Sequence, residues 1–405
     1  MNILVLNAGS ASLKFEVITA SKSSSLSNKC KLVSGIVEKI GEEATFSLIK
    51  NKDTFHQENI AATDYDEATR HVLKWLHDDH SQNESTTHQF EAVGHRIVHG
   101  GDKFTQPVLI DSDVIAEIES LEQVAPLHNV PALECIRATR EILENKVPII
   151  ATFDTIFHQT IPKRASMYGL SWEIASRHHI RRYGFHGISH EYLVRRYAQI
   201  MDMPVEKVTI VTLHLESGCS ACAVRHGQSI DTSMGFTPLE GLMMGTRSGD
   251  IDPAIVGYLM RKEQVDIDEV DRWLNKESGL LGVSGRSHDT RELVRLIDID
   301  ERSRLALEIF CYRIRKYIGA YLAALSGAQA IIFGGGIGEN TPFVRARVLE
   351  ELEWCGLTLD PVRNEQTINR EGQITTDSSQ LHAYVIPVEE GLLIADQTFN
   401  YLKAN

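Results

Sequence analysis

Two stretches of the chain share one pattern of apolar and polar residues, in which two strands flank a short polar turn. In the first, apolar residues at 3–6 predict a strand, residues 7–12 a small polar loop, and residues 15–18 a second strand. In the second, an apolar strand at 207–215 precedes a turn at 216–218, and the sequence CSACAV continues as a strand. The two patterns lie roughly 200 residues apart and suggest a duplicated domain.

Longer apolar and amphipathic segments complete an α/β pattern. Residues 147–153 form a continuous apolar run that is typical of a strand buried on both faces, and Asp154 follows it. Ligands of open α/β sheets bind at this end of the strands. Helical periodicity occurs at residues 66–77, 113–124 and 301–325. The pattern predicts two α/β domains, residues 1–154 and 155–388, the first completed by a C-terminal helix at 389–405.

The composition and charge of the chain limit the classes of partner that it could bind. The chain has 405 residues, 42% of them hydrophobic and 24% charged, which is typical of a soluble globular protein. Its formal net charge of −14 argues against nucleic-acid binding and requires a few local cations for any anionic substrate. No basic leader precedes the first apolar run, and no run approaches the roughly 18–20 apolar residues of a membrane span. With six cysteines, we expect a cytoplasmic protein with reduced thiols and no nucleic-acid or membrane partner.

Five segments combine glycine with polar or charged residues that suit an anion site. They are residues 7–14, 94–101, 182–187, 241–253 and 334–340. Plainer interpretations exist: the first is also a typical hairpin turn, Arg96 of the second could be ion-paired on an edge strand, and His186 of the third could be a core histidine. The chain has neither a G-x-G-x-x-G fingerprint after its first strand nor a Walker A sequence, which argues against a dehydrogenase and a P-loop kinase.

Cys219 and Cys222 form a CxxC pair inside a predicted strand. Residues three apart in a strand point to opposite faces, so these thiols cannot share a metal ion or a disulfide without a bulge. No second CxxC and no flanking histidine pair completes a zinc site. We therefore expect no redox or metal function for this pair.

Six long motifs follow one another along nearly the whole chain: LVLNAGSASLKF, GHRIVHGG, FDTIFHQTIP, RRYGFHGISH, DTSMGFTPLEGLMMGTRSGDIDP and FGGGIGEN. Together they resemble the acetate kinase family of the actin-like and sugar-kinase ATPase superfamily. The resemblance implies two similar actin-like (ribonuclease H-like) ATPase domains, with nucleotide and acid meeting in the cleft between them. It also implies reversible phosphoryl transfer between ATP and acetate, with ATP or ADP as substrate, Mg²⁺ (or Mn²⁺) as metal, and a homodimer.

Matched residue by residue, the resemblance also implies a role for individual positions. The catalytic residues would be Arg96, Asp154, His186 and Arg247. The acid would be held by Arg96 in a pocket of Val98, Leu127, Phe185 and Pro238. The nucleotide and its phosphates would contact Ser10, Ser12, Lys14, His214, Gly218, Asp289, Arg291, Gly336, Ile337 and Asn340. Asn7 and Glu390 would position the metal ion together with Asp154.

Elementary chemistry agrees with these roles. A small carboxylic acid is already ionised near neutral pH, so its attack on a γ-phosphate needs no general base. It needs neutralisation of two anions brought together, in-line positioning and a metal ion. Two arginines, one histidine and carboxylates for Mg²⁺ meet that need.

Two loops depart from the family pattern and leave alternatives open. Relatives usually read HLGNG where this chain has HLESG at 214–218, so an amide donor is lost and Glu216 adds negative charge. Near the C-terminus relatives tend to have Asn followed by two Glu, and Glu389 competes with Glu390 as the metal carboxylate. The alternatives are a kinase for propionate or another short acid, a pyrophosphate-dependent enzyme, and a catalytically weak nucleotide-binding module. The small residues Gly336 and Ile337 argue against pyrophosphate.

Overall fold

The structure, a computed structural model, describes residues 1–9, 11–21, 30–50, 53–78, 90–121, 126–144 and 146–404. Contacts within the chain divide it into two compact units. Unit 1 comprises Met1–Ile156 and Glu389–Asn405, and unit 2 comprises Phe157–Val388. The chain therefore leaves unit 1 once and returns to it for its last helix.

Within the described residues, the sheet of unit 1 contains eight strands in the order β5-β4-β3-β2-β1-β6-β8-β7. They are β1 (Asn2–Ala8), β2 (Ser12–Thr19), β3 (Cys30–Glu38), β4 (Thr45–Lys50), β5 (Asp53–Asn59), β6 (Ala92–Ile97), β7 (Val108–Leu109) and β8 (Ile149–Phe153). Strands β1, β6 and β8 are parallel to one another, and the other neighbouring pairs are antiparallel. The carboxyl ends of the three parallel strands therefore lie at one edge of the sheet.

Helices cover both faces of this sheet. They are α1 (Tyr65–Asp78), α2 (Ser112–Ser120), α3 (Pro126–Ile142) and the last helix of the chain, α15 (Glu390–Ala404). Leu4 and Leu6 of β1 belong to a core cluster that includes buried residues of α1 and α3. Successive strand residues point to opposite faces, so the buried Ile3 and Val5 lie on the other face, where α15 contacts β1 and β6. Because apolar side chains of β1 point to both faces of the sheet, helices must cover both faces.

The sheet of unit 2 has six strands in the order β11-β10-β9-β12-β14-β13. They are β9 (Ile210–Leu215), β10 (Cys219–Arg225), β11 (Gln228–Thr232), β12 (Ala330–Gly334), β13 (Gly372–Gln373) and β14 (His382–Val385). Every residue of β9 and β12 is buried, and these two strands pair in parallel. Continuous apolar runs such as these are typical of parallel strands that are covered on both faces.

Eleven α-helices accompany the sheet of unit 2. They are α4 (Lys163–Ser166), α5 (Trp172–Arg177), α6 (Gly187–Ile200), α7 (Ala254–Glu263), α8 (Ile267–Lys276), α9 (Gly279–Ser284), α10 (Thr290–Leu296), α11 (Glu301–Leu325), α12 (Gly335–Asn340), α13 (Pro342–Leu349) and α14 (Pro361–Gln366). Short 3₁₀ turns occupy Ile156–Thr160, Val205–Lys207 and Glu353–Cys355. Helix α11 has the bounds that its amphipathic pattern predicts, with the N-cap of Asp300 accepting from Ser303.

The two sheets repeat one arrangement. In each, an antiparallel hairpin (β1–β2 or β9–β10) is followed by two parallel strands, β6 and β8 in unit 1 and β12 and β14 in unit 2. This confirms the predicted α/β class with two similar units. None of the described helices combines the length and apolar character that crossing a bilayer requires.

Some element ends differ from the sequence-based expectation. The loop predicted to begin at Asn7 is shorter, because Asn7 pairs with Lys14 and Ala8 with Leu13 in the hairpin ladder. Asn7 therefore belongs to a strand, which holds its side chain more firmly than a loop does. Helix α2 ends at Ser120, ahead of the predicted end at residue 124, and residues 122–125 lie outside the described part of the chain.

Candidate active site

Three polar side chains of unit 1 lie where parallel strands end. Asn7 is near the end of β1, Arg96 is on β6, and Asp154 directly follows β8. The register places these strand ends side by side, with Leu6 opposite His95 and Ile97 opposite Phe153. The sheet topology therefore brings together residues that are far apart in sequence.

Arg96 organises this cluster. Its Nε donates to Asp154 Oδ1 at 2.9 Å and its Nη2 to Asp154 Oδ2 at 2.6 Å, a two-pronged ion pair. Its Nη1 donates to Asn7 Oδ1 at 2.9 Å. The side chain of Arg96 is 13% exposed and that of Asp154 is 0% exposed. The pair is thus shielded from water, and its geometry is fixed by three hydrogen bonds.

The first residue of α15 completes the cluster. Glu390 Oε2 accepts from Asn7 Nδ2 at 2.8 Å and lies 3.7 Å from Arg96 Nη1. One guanidinium (+1) then faces two carboxylates (−2), Asp154 and Glu390, so the ionised cluster has a net charge of −1. Such a cluster repels an anionic substrate unless a further cation joins it.

The neighbouring Glu389 is occupied elsewhere. Lys31 Nζ forms ion pairs with Glu389 and with Glu16, whose Oε1 lies 2.6 Å away. Burial raises the pKa of Glu16, and the ammonium of Lys31 opposes that rise. A Cβ at Gly391 would lie 1.7 Å from Glu16 Oε2, so a larger residue there would displace this carboxylate. Of the two adjacent carboxylates, Glu390 alone reaches the Arg96 cluster within the described residues.

The loop after β6 is braced from two sides. The backbone N–H of His99 donates to Asn129 Oδ1, whose amide donates back to the His99 carbonyl, both at 3.1 Å. Gly100 N–H donates to Thr155 Oγ1 at 3.2 Å. Val98, in the same loop, is buried. Leu127 lies on α3, but its side chain is outside the described part of the structure.

The β1–β2 turn holds the first predicted phosphate residues. Gly9 N–H donates to Ser12 O at 2.7 Å, and the Tyr65 hydroxyl donates to Gly9 O at 2.7 Å. Lys14 is exposed and lies opposite Asn7 in the ladder, so the two side chains share a face. Ser10 is outside the described residues.

At the β9–β10 turn of unit 2, two side chains lie close to Gly218. A Cβ at Gly218 would lie 3.3 Å from His186 Nε2 and 3.6 Å from Arg247 Nη1. Glycine therefore lets both side chains approach the turn closely. The His186 and His214 rings lie 4.4 Å apart, and His214 Nε2 is 3.6 Å from Glu216 Oε2. Glu216, a departure from the family pattern, thus stands beside the predicted phosphate turn.

Arg247 has surroundings unlike those of Arg96. Its Nη1 donates to the carbonyl of Pro238 at 3.1 Å and approaches Met244 Sδ at 3.8 Å. Across the described residues it forms no ion pair with a carboxylate, and burial lowers the pKa of its guanidinium. A desolvated cation without a carboxylate partner can pair with an anion that comes from outside the chain.

The loop that carries Arg247 is fixed by backbone bonds. Gly245 N–H donates to Ser217 O at 3.2 Å, and Met244 N–H donates to Arg247 O at 3.1 Å. Gly279 has a φ of +63°, and its missing Cβ leaves room for the Met244 carbonyl. The Arg247 loop and the Gly218 turn are therefore one hydrogen-bonded assembly.

His186 is held by a strained backbone and a buried hydroxyl. It precedes α6 with a φ of +56°, in the left-handed region that non-glycine residues rarely adopt. Its Nδ1 lies 2.8 Å from Ser220 Oγ of β10. Phe185, beside it, is buried. The ring is therefore oriented before any ligand arrives.

The predicted adenosine residues lie on two short helices of unit 2. Asp289 caps α10 and accepts from Arg291, whose Nη2 is 2.7 Å from Asp289 Oδ2, and this bond lowers the pKa of Asp289. Gly336 is exposed and Ile337 partly exposed in α12, where Asn340 Nδ2 donates to Gly336 O at 2.9 Å.

Cys219 and Cys222 are both buried on β10. Their thiols donate to the Glu216 carbonyl at 3.2 Å and approach Ser229 Oγ at 3.3 Å, respectively. Burial raises the pKa of each thiol to about 12. Neither thiol is therefore activated as a nucleophile.

Sequence reasoning missed Lys31 and the groups behind His186. Lys31 pairs with a carboxylate 358 positions away, and no local pattern signals such a contact. His190 had a signal: it follows His186 by four positions in the RRYGFHGISH motif, a spacing that places two residues on one helix face.

Comparisons with known proteins show the family of this chain. A family model described as the Acetokinase family matches residues 2–396. The chain is 47% identical over 413 residues to an acetate kinase of Chloroherpeton thalassium, with 98% of each sequence covered. It is similar to the crystal structure of Porphyromonas gingivalis acetate kinase, with a TM-score of 0.89, 37% identity and 99% of each chain covered. For a propionate kinase from Francisella tularensis, the TM-score is 0.88 at 37% identity, covering 98% of this chain and 99% of that one.

Proposed function

The chain belongs to the acetokinase family, and we propose that it transfers the γ-phosphoryl group of ATP to acetate reversibly, by direct in-line attack with Mg²⁺. One observation of the structure carries this proposal beyond family membership. Arg247 is a desolvated cation without a carboxylate partner among the described residues, and it lies beside His186 at the Gly218 turn. That arrangement suits the equatorial oxygens of a transferring phosphoryl group, which carry its charge.

Each residue has one part of the chemistry in this proposal. By resemblance to the family, Arg96 is assigned to the carboxylate of acetate, and Val98, Leu127, Phe185 and Pro238 are assigned to its methyl group. Arg247 and His186 stabilise the phosphoryl group as it passes from ADP to acetate. The acid needs no general base, because it attacks as the carboxylate.

The unit 1 cluster fits a divalent metal ion. Asn7, Asp154 and Glu390 offer amide and carboxylate oxygens, the hard donors that Mg²⁺ prefers, and the cluster has one negative charge in excess. Mg²⁺ is usually bound by one or two carboxylates together with water and phosphates. When bound, the ion would neutralise phosphate charge. Glu390 is the metal carboxylate in this proposal, because Lys31 holds Glu389. Mn²⁺ is an alternative ion.

The residues proposed for the nucleotide fall into two groups. Ser10, Ser12, Lys14, His214 and Gly218 serve its phosphates, and Asp289, Arg291, Gly336, Ile337 and Asn340 serve its adenosine. The exposure of Gly336 and Ile337 supports this placement. A cytoplasmic location and a homodimer are proposed on the resemblance to the family alone.

The decisive experiment is a hydroxamate assay of the purified chain that crosses acetate, propionate and butyrate with ATP, GTP and pyrophosphate. We expect the highest kcat/KM with acetate and ATP, and no product without Mg²⁺. Product with pyrophosphate and none with ATP would refute the proposed donor. Absence of acyl phosphate with every pair would refute the kinase itself.

Propionate is a second candidate substrate, since one similar solved structure is a propionate kinase. We predict that Val98→Ala raises the propionate-to-acetate ratio of kcat/KM by roughly tenfold, because a methylene in an apolar pocket is worth about 1–3 kcal/mol. The KM for ATP should stay the same. Val93→Ala, which truncates a buried core valine of β6, the strand that precedes Val98, is the matched control. A similar change of ratio in both variants would exclude Val98 from the pocket.

Metal dependence distinguishes the two adjacent carboxylates. Glu390→Gln is expected to raise the Mg²⁺ concentration for half-maximal activity by about tenfold or more, because a ligand of the ion is lost. Glu389→Gln should change it by less than about twofold, since that side chain faces Lys31. A Mg²⁺ titration of kcat at saturating ATP measures both. The opposite ranking would assign the metal to Glu389.

A further inference from the structure

A buried chain of hydroxyl and imidazole groups leads from His186 into the interior of unit 2. Ser220 Oγ lies 2.8 Å from His186 Nδ1 and 2.8 Å from His190 Nε2. His190 Nδ1 in turn lies 2.7 Å from Thr212 Oγ1. Ser220, His190 and Thr212 are all 0% exposed. No water can replace one of these partners, so each proton must be shared within the chain of groups.

The local structure explains why these groups meet. His186 is the N-cap of α6 and His190 lies in its first turn, and both rings contact Ser220 Oγ. Thr212 of β9 faces Cys222 of β10, and Ser220 faces His214, so the alternation of both strands puts these side chains on one face of the sheet. The start of α6 therefore supplies the two histidines of this hydrogen-bonded series, and the β9–β10 hairpin supplies the two hydroxyl groups.

The direction of the hydrogen bonds follows from the acceptors available. His190 is neutral, because burial, aided by His158 and His214 nearby, lowers its pKa well below the ordinary value. The Thr212 hydroxyl can donate to a ring nitrogen of His190 or to the thiol of Cys222. Sulfur is a weak acceptor, so the proton goes to His190 Nδ1.

The remaining protons are then determined. His190, neutral and accepting at Nδ1, carries its proton on Nε2 and donates it to Ser220 Oγ. Among the described residues, Ser220 Oγ also contacts His186 Nδ1, so the hydroxyl proton points to that nitrogen. A neutral His186 that accepts at Nδ1 carries its own proton on Nε2. That nitrogen faces the Gly218 turn and Arg247.

We propose that Thr212, His190 and Ser220 are positioning residues that fix His186 as the Nε2–H tautomer, so that it donates to a phosphoryl oxygen while uncharged. The inference rests on the proposed function for its phosphoryl ligand. Arg247 already places a positive charge beside this turn, and a second cation at His186 would be repelled by it. A neutral donor supplies the hydrogen bond without that repulsion.

Neutron diffraction from deuterated crystals of the full chain tests the assignment directly. We expect a deuteron on Nε2 of His186 and on Nε2 of His190, with none on Nδ1 of either ring. A deuteron on His186 Nδ1 would overturn the proposal, whatever the enzyme's activity. Failure of the wild-type chain to form acetyl phosphate would instead refute the proposed function and leave the proton positions as they are.

Kinetics test whether the chain of groups matters to catalysis. Ser220→Ala and Thr212→Val should each lower kcat by about 10–100-fold, in line with the loss of partners that orient a functional histidine. The KM values for ATP and acetate should change little, because His186 acts on the transition state. Thr375→Val is the matched control: Thr375 is equally buried in unit 2, and its hydroxyl lies 3.3 Å from His382 Nδ1. If kcat fell as much in this control, the loss in the Ser220 and Thr212 variants would be explained by general destabilisation, and the proposed positioning role would be wrong.

Two amide substitutions at His190 distinguish the loss of its hydrogen bond to Ser220 from the loss of side-chain volume. The amide nitrogen of Gln reaches the place of Nε2 and can still donate to Ser220, whereas that of Asn reaches only the place of Nδ1. We expect His190→Gln to retain a kcat about tenfold above that of His190→Asn. Equal kcat values in two folded variants would contradict the proposed donation from His190 to Ser220.

Discussion

Arg247→Ala is expected to lower kcat by about 10³-fold or more, by analogy with arginines that act on a transferring phosphoryl group. The reason is its lack of any carboxylate partner among the described residues: its charge is available to the substrate. Its hydrogen bond to the Pro238 carbonyl orients the guanidinium without neutralising it. The hydroxamate assay measures kcat, and circular dichroism verifies the fold.

Two further variants test whether the loss of kcat is specific to the guanidinium of Arg247. Arg225 is the matched control, because its Nη2 also donates to a single backbone carbonyl, that of Ala324 at 2.8 Å, but at the far end of β10. Arg225→Ala should leave kcat unchanged within about twofold, as is usual for a surface charge away from a site. Arg247→Lys should restore only part of the activity, because an ammonium cannot match two phosphoryl oxygens as a planar fork does. Near-parental kcat in Arg247→Ala would remove this residue from the mechanism.

Much of this organisation could be predicted from the sequence. The strand–turn–strand pattern repeats because each unit builds its sheet from an antiparallel hairpin followed by parallel strands, and apolar runs reveal such strands. One apolar run predicts Asp154 at a strand end, and in the structure Asp154 directly follows β8. The same rule brings Asn7 and Arg96 beside it once the strand order is known.

The sequence could not distinguish the electrostatic states of the two arginines. Arg96 and Arg247 both stand in glycine-rich segments. Folding gives Arg96 a buried carboxylate from a strand 58 positions away, and it gives Arg247 a carbonyl and a thioether. Such differences arise from contacts between distant segments, and no period or local composition encodes them. The choice between Glu389 and Glu390 likewise depends on Lys31, on a distant strand.

The two arginines consequently contribute in different ways. Arg96 is neutralised by Asp154 and stays in place through a pair of bonds, so it offers geometry more than net charge. Arg247 offers a net positive charge in a desolvated place. In the proposed mechanism, the buried cation Arg96 is compensated by a carboxylate, and the charge of Arg247 serves the phosphoryl group.

Arg96→Met should therefore affect stability as well as activity. Removing one partner of a buried ion pair leaves an uncompensated charge on Asp154, and we expect the free energy of unfolding to fall by about 3–5 kcal/mol. Activity should fall by about 10³-fold, as for Arg247→Ala. Urea denaturation measures the first effect and the hydroxamate assay the second. Arg272→Met, which breaks the exposed pair with Glu269, is the control and should cost less than about 1 kcal/mol.

The double variant Arg96→Met/Asp154→Leu separates the two effects. Replacing both members of a buried pair by apolar residues is often neutral or stabilising, so the unfolding free energy should return to within about 1 kcal/mol of the parent. Activity should remain as low as in Arg96→Met, because neither side chain can bind the acid or complete the metal cluster. If the double variant regained activity along with stability, Arg96 would act only as a structural partner of Asp154. If it stayed unstable, the buried charge on Asp154 would not be the cause of the destabilisation.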